Sequence, residues 1–324
     1  MLLVGTGDAR VRWSRRTPAD WDRELGRWAG ATAFHEAAFL TAFADLRGWR
    51  LELLAAEVAG EAVGLVPLLL ARRGPVRVPA PTPFPFLGPV VDDHHLRAVV
   101  AAAGGWAGRR GAVALRVDRR SPTPAQVLLL EDAGVEVGSP RTWVVDLGPG
   151  DPAAAYNRNT RRALRTAEQA GVTVGPVDAA TAARVLPQLL GEAYAAHGAS
   201  DPYAALGPAG WERLVASHPG ALVHAAHLDG RCVGVLVTLV RDRTAYVWVG
   251  GCLREVRDAR ANFALHAHVL DEVARRGCTS ADLVGEVDER VARFKAGLGA
   301  RPEPFVLGMR PTAPVRLARR VAGR

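Results

Sequence analysis

Apolar positions fall into short runs parted by turn formers. Residues 221–228 and 232–240 are two such runs joined by Asp229-Gly230. Asp-Gly between apolar runs predicts a β-hairpin, because both central positions of the tight turn need positive φ. Ala59-Gly60 stands at the corresponding place in an earlier pair of runs, and a helical stretch bearing aromatics precedes each pair, at 39–46 and 211–217. Ala55, Ala56, Gly60, Val63 and Gly64 recur as Ala225, Ala226, Gly230, Val233 and Gly234, always 170 residues on. A repeat this long implies duplicated domains rather than a solenoid of short units.

Leu265, Val269, Leu270 and Val273 give residues 261–276 helical spacing, closed by Gly277, and residues 159–170 form a polar helix closed by Gly171. Strands are expected at 113–117, 143–146, 245–249, 280–284 and 304–309. Helices alternating with hairpins predict an α/β (α+β) chain with one mixed sheet per domain. Turn formers crowd residues 146–152, which sets the expected domains at 1–147 and 148–324, with the last residues packing back on the first domain. The Pro-rich stretch 78–85 is excluded from a central strand and reads as an ordered loop. Residues 62–71 read as a buried strand, and no apolar run reaches the roughly 18 residues a membrane span needs.

The chain has 324 residues, is 49% apolar and 23% charged, and carries a net charge of +8. That excludes wholesale disorder and suits two domains. Residues 1–13 lack a signal-peptide core. Three cysteines, Cys232, Cys252 and Cys278, are too few and too widely spaced for a disulfide framework or a zinc site. The expectation is a soluble cytoplasmic protein, monomeric, without metal. The basic residues are 40 Arg and one Lys, Lys295. Where lysine has drifted to arginine everywhere else, the survivor draws attention. Charge is +2 over residues 1–150 and +6 over 151–324, which suggests an anionic partner.

Arg158, Arg161, Arg162 and Arg165 are spaced to line one helix face and suit phosphate, as in RNA, or a solvated surface. Arg310, Arg316, Arg319, Arg320 and Arg324 make a basic tail that reads as an RNA-binding arm or a solvated terminus. Lys295 follows a predicted strand and sits beside Phe294 and the glycine-rich turn Gly297-Leu298-Gly299, a setting in which an ammonium can stabilise an oxyanion. Asp118 ends the strand Ala114-Leu115-Arg116-Val117-Asp118, where it suits a general base, a cap or an arginine partner. His266 shares an apolar helix face and reads as a core histidine; His94, His95 and His197 have no partner visible in sequence. Serine-hydrolase elbow, zincin, P-loop and dinucleotide fingerprints are missing.

Several of these features together resemble the FemXAB-type aminoacyltransferases: Gly48-Trp49 before the first hairpin, Arg116-Val117-Asp118, the arginine-rich helix before Gly171-Val172, Tyr246-Val-Trp248-Val-Gly250-Gly251, and Gly277-Cys-Thr-Ser-Ala-Asp282-Leu-Val-Gly285 with Phe294-Lys295-Ala-Gly-Leu-Gly299. The resemblance spans nearly the whole chain, and its last block is the most specific. It implies two tandem GNAT-like domains and transfer of an amino acid from aminoacyl-tRNA to an amine, with no tightly bound cofactor and no DNA partner. The acceptor is a small-molecule amine or a peptidoglycan precursor. By resemblance Lys295 is the catalytic lysine and Asp118 an acid that suits a base. Phe294, Tyr246, Trp248 and Arg116 fall in the substrate-binding motifs, and Arg158, Arg161, Arg162 and Arg165 serve tRNA phosphates.

Cell-wall members of that family use a first-domain lysine on the phosphates of their nucleotide-linked peptide; here Arg47 or Arg50 would have to substitute. The Arg/Gln-x-x-Gly-x-Gly pyrophosphate loop is also missing, which lowers acyl-CoA, the alternative donor, below aminoacyl-tRNA. A non-catalytic RNA- or peptide-binding module is the third reading.

Overall fold

The computed structural model describes residues 11–80, 82–285 and 288–321, with backbone alone at 319–321. Residues 1–10, Arg324 and the side chains of Arg319 and Arg320 lie outside the described part, and with them much of the expected basic tail and the N-terminal reading.

The elements in chain order begin with β1 (Arg12–Arg15), α1 (Pro18–Leu25), α2 (Ala37–Arg47), β2 (Arg50–Val58), β3 (Glu61–Arg73), β4 (Val76–Pro79), β5 (Val90–Val91), α3 (Asp93–Gly108), β6 (Ala114–Arg120), α4 (Pro124–Asp132) and β7 (Glu136–Gly138). They continue with β8 (Arg141–Asp146), α5 (Arg158–Gln169), β9 (Thr173–Pro176), α6 (Ala179–Ala196), α7 (Gly207–Ala216), β10 (Ala221–Leu228), β11 (Arg231–Arg241), β12 (Thr244–Cys252), α8 (Ala261–Arg275), β13 (Ser280–Asp282), α9 (Glu289–Gly297), β14 (Arg301–Pro311) and α10 (Ala313–Val321). The chain packs as two units. One comprises 11–80, 85–139 and 304–321; the other comprises 82–84 and 140–303. The turn-rich stretch 146–152 therefore lies inside the second unit, because β8 pairs antiparallel with β13 there.

In the first unit β1-β2-β3-β4 form one ladder with β5 on β3, while β14 pairs antiparallel with β6 and with β7. Its core gathers Leu54, Val66, Leu96, Val99, Val100, Leu115, Val117 and Val306. In the second unit the order is β8-β13-β12-β11-β10-β9, with β12 and β13 parallel and the other pairs antiparallel. Leu265, Val269, Leu270 and Val273 of α8 are fully buried against this sheet in a core with Val145, Leu236, Val247 and Ala281. Each such side chain contributes roughly 1.5–3 kcal/mol of burial.

The predicted repeat is present in register. Ala56 faces Gly64 and Ala226 faces Gly234; each ladder then shifts by one residue, so that Glu57 faces Ala62 and His227 faces Cys232. The turns match as well: Ala59 and Gly60 have φ of 53° and 90°, Asp229 and Gly230 have 51° and 73°. Two bulges and two left-handed turns at the same offset are what an ancestral duplication leaves behind.

Candidate active site

The second unit contains a cavity of about 840 Å³. Its walls come from the middle of β11 at Leu236, the second half of β12, the turn from Leu253 to Arg260, the loop after β13, the first turns of α5 and α8, the last turn of α6, and α9. Lys295 of α9, 7% exposed, lies on this wall. Asp288 caps α9, accepting the Val291 N–H at 2.8 Å. At the other end of the helix the backbone of α5 comes close: Asn157 N–H donates to the Gly297 carbonyl at 3.0 Å. A Cβ at position 297 would stand 2.7 Å from Thr160 Oγ1, so the glycine of the Lys-Ala-Gly motif is needed for this approach.

The loop after β13 is shaped around the ammonium. Asp282, bonded by the Thr142 hydroxyl, accepts the Val284 N–H at 2.9 Å. Val284 and Gly285 then adopt φ of 46° and 71°. The carbonyls of Leu283 and Val284 receive Lys295 Nζ–H at 2.8 Å each, and the Gly285 carbonyl also accepts from it. Burial of a cation is tolerated because its donors are matched by carbonyl dipoles.

His266 stands one side chain away. Its Nδ1 lies 2.9 Å from the Asn262 carbonyl, which can only accept, so Nδ1 carries the proton and Nε2 the lone pair. The ring packs edge-on against Phe294, at 4.9 Å between centroids, and Phe294 meets Phe263 at the same distance. Burial, reinforced by the Lys295 charge, holds the His266 pKa down at about 4, so the imidazole is neutral at pH 7. The sequence places this residue in the core; its position on the cavity wall follows from α8 turning its 262/266 edge away from the sheet.

Arg254, Arg257, Arg260, Arg290 and Arg293 also line the cavity, and its described lining residues include no carboxylate. Sequence reasoning missed these arginines. Three are spaced at intervals of three through the turn Arg254–Ala259 and into Arg260, a pattern visible in the sequence but without meaning until the turn is placed over the cavity. His197 lines the same wall and pairs with Asp288 at 3.5 Å.

The remaining candidates separate. Phe294 and Trp248 line the cavity. Trp248 donates through Nε1 to the Tyr203 hydroxyl at 3.0 Å. Tyr246 is buried in the sheet, opposite Leu239 and Asp282, and is not among the lining residues. Arg158, Arg161, Arg162 and Arg165 are all exposed on α5. They flank the turn, Asn157 to Thr160, that α5 contributes to the wall.

In the first unit Asp118 is 2% exposed and accepts from Arg116 Nε at 2.7 Å. Burial raises its pKa, against the pull of Arg116 and of the backbone N–H groups of Leu87 and Gly308. A Cβ on Gly88 would lie 1.9 Å from the Asp118 carbonyl oxygen, so loop and strand are in contact. This carboxylate holds a loop to β6 and presents no surface to a reacting amine. Arg50 is ion-paired to Glu52 and Arg47 stacks over Trp49 at 5.0 Å. Among the described residues no cluster of His, Cys, Asp or Glu suits a metal ion, and no helix is long and apolar enough to cross a membrane.

Residues 154–296, which include most of this cavity, match the family model of the acetyltransferase (GNAT) domain. No curated protein matches the chain. Among solved structures, FemX aligns over 97% of this chain and 100% of its own, with a TM-score of 0.73 and 13% identity. The tandem GNAT protein from the clavulanic acid biosynthesis pathway aligns over 93% and 98%, with a TM-score of 0.58 and 16% identity. The C-terminal domain of a putative lysylphosphatidylglycerol synthetase from Agrobacterium fabrum aligns over 93% and 95%, also with a TM-score of 0.58 and 16% identity. The repeated β-α-α order ahead of a hairpin, with a helix and strand after it (the first unit adding the short β5), the matched bulges and these likenesses converge: the chain has the FemX-like tandem GNAT fold.

Proposed function

We propose that the protein is an acyltransferase that moves an amino acid from aminoacyl-tRNA to an amine, forming an amide. The observation that carries this reading is the cavity itself, a wall with one buried lysine and five arginines and no carboxylate among its described lining residues. Such a site suits a polyanionic donor whose reacting carbonyl becomes negative in the transition state.

The acceptor nitrogen attacks the ester carbonyl carbon. The carbon–oxygen bond to the terminal ribose breaks, the ribose oxygen takes up a proton, and the nitrogen loses one. As the carbonyl oxygen gains charge, the Lys295 ammonium stabilises it more than it stabilises the neutral ester. The three Nζ–H groups are bonded to carbonyls 283, 284 and 285. Direct donation to the substrate thus exchanges one of these bonds for a bond to the oxyanion.

Two observations favour tRNA over acyl-CoA. Arg260, at φ 55°, stands immediately before α8, so a bulky cation occupies the turn that a glycine-rich pyrophosphate loop would leave open. The exposed arginines of α5 lead away from the cavity wall for about 10 Å of helix, which suits successive phosphates. The acceptor is read as a small-molecule amine, since Arg47 and Arg50 are engaged by Trp49 and Glu52 rather than offered to a nucleotide.

Filter binding of aminoacyl-tRNA across a salt series tests the donor. Affinity falling steeply with salt, together with transfer to an amine, is expected. Salt-insensitive binding with transfer from acyl-CoA would overturn the reading; tight RNA binding without transfer to any amine would make the chain a binding module.

A further inference from the structure

Asn262 and His266 lie one helical turn apart on α8, and both line the cavity. Asn262 Oδ1 is buried and, among the described residues, has no hydrogen-bond partner. A buried acceptor without a partner is unfavourable and calls for an occupant. His266 supplies a second acceptor beside it. Its Nδ1–H is committed to the Asn262 carbonyl, which leaves Nε2 with a lone pair and, among the described residues, no partner. The helical spacing of four residues puts both side chains on the same face. His266 feels the Lys295 charge and packs on Phe294, the neighbour of Lys295, so the pair stands next to the point where the proposed chemistry occurs.

The character of the pair restricts what it holds. Both acceptors are neutral, an amide oxygen and an uncharged imidazole. Lys295, the five cavity arginines and the positive end of α8 disfavour a cationic guest. An uncharged N–H or O–H donor satisfies both groups, whereas an ammonium would be repelled and a bare hydrocarbon would leave Oδ1 unpaired.

We propose that Asn262 and His266 form a paired acceptor site for an uncharged hydrogen-bond donor adjacent to the carbonyl under attack. This rests on the aminoacyl-tRNA reading, under which two groups have that chemistry: the amine of the transferred amino acid in its unprotonated form, which predominates above an α-amino pKa of about 8, and the 2′-hydroxyl of the terminal ribose. The site therefore selects the donor by a polar group beside its ester, where phosphate contacts alone would not distinguish a charged tRNA from any other polyanion.

The experiment is calorimetric titration of the whole chain at about pH 9, where an α-amine is largely uncharged, with three stable analogues: the alanyl amide of 3′-amino-3′-deoxyadenosine 5′-phosphate, its propionyl counterpart, which lacks the amine, and its 2′-deoxy counterpart, which lacks the hydroxyl. Acetyl-CoA is titrated alongside. The alanyl compound is expected to bind at least about tenfold more tightly than one of the other two, which is about 1.4 kcal/mol. A deficit in the propionyl compound identifies the amine, and a deficit in the 2′-deoxy compound identifies the hydroxyl. His266→Phe keeps the ring against Phe294 and removes Nε2; Asn262→Ala removes Oδ1. Each is expected to erase the preference while a melting curve reports folding, and the wild-type comparison decides even if a variant does not fold. Equal binding of all three analogues to the wild type overturns the acceptor pair and leaves the donor reading standing. Binding of acetyl-CoA with none of the adenosine analogues overturns both.

Discussion

Lys295 Nζ lies 2.8 Å from the carbonyl oxygen of Val284, a β-branched residue held at φ 46°. Left-handed backbone at such a residue costs on the order of 1–3 kcal/mol and persists where surrounding contacts over-determine it. The ammonium, bonded to three successive carbonyls, supplies those contacts. Lysine and loop therefore stabilise each other, and the lysine has a structural role beside the chemical one.

That coupling sets the outcome of Lys295→Met. Methionine keeps the length and apolar contacts of the stem but removes the donor. With three carbonyls left without their donor, a loss of about 1–3 kcal/mol is expected, read as a lower melting temperature, together with a drop in turnover of about 10²–10³. Lys295→Arg retains charge but cannot converge a planar fork on three carbonyls, so it should rescue neither property fully. Full activity of Lys295→Arg would remove the catalytic assignment.

Charge removal along α5 separates binding from chemistry. Replacing Arg158, Arg161, Arg162 and Arg165 by Gln, one at a time and then together, should weaken tRNA binding. Each arginine–phosphate pairing removed should flatten the logarithmic salt slope by about 0.7–0.9. Melting temperature should hardly move, because all four side chains are exposed. An unchanged slope in the quadruple variant would show that α5 is a solvated face.

His224 and His266 are both held at a pKa of about 4, chiefly by burial. Since the folded values lie below the unfolded 6.5, the unfolded chain binds more protons between pH 4 and 6.5. Stability is therefore complete above pH 6.5 and falls as pH drops toward 4, by up to about 1.4 kcal/mol per pH unit for each histidine. Urea midpoints measured from pH 7.5 down to 4.5 should decline, and His224→Phe should shallow the decline. A midpoint that stays flat over this window would contradict the buried neutral state.

At the first hairpin Ala59 takes φ of 53°, where the second hairpin has Asp229 at 51°. Alanine in this region lacks the local hydrogen bonding that lets Asn or Asp tolerate it. Ala59→Asn should raise stability by about 0.5–1 kcal/mol, seen as a higher melting temperature with no change in tRNA affinity.

The hairpins, the 170-residue repeat and the helices containing Arg158 and Leu265 were legible because each rests on local chemistry: a turn dipeptide, a helical period, a closing glycine. Lys295 stood out through composition and its glycine-rich neighbours, and the structure puts it on the cavity wall. What escaped depends on the third dimension. β8 reads as a strand of the first half, yet it pairs with β13 because strand pairing follows sheet register and not chain proximity. His266 looks like a core residue because the apolar face of α8 is wide enough to include the edge that borders the cavity. The arginines at 254, 257 and 260 recur every three residues through a short 3-10 turn, a spacing visible in the sequence that carries no apolar pattern to say which way the turn faces. Asp118 reads as a strand end, but β6 runs on through Arg119 and Arg120, which pair with Val306 and Phe305, and the close passage of Gly88, which no local pattern announces, seals it.

Transfer itself is the most direct test of the central claim. The wild-type chain is incubated with tRNA carrying a radiolabelled amino acid and with a panel of amines, and in parallel with labelled acyl-CoA thioesters. The account predicts that label passes from tRNA into an amide product, that Lys295→Met reduces this by about 10²–10³, and that the thioesters are inert. Label passing from a CoA thioester to an amine while aminoacyl-tRNA stays intact would contradict it.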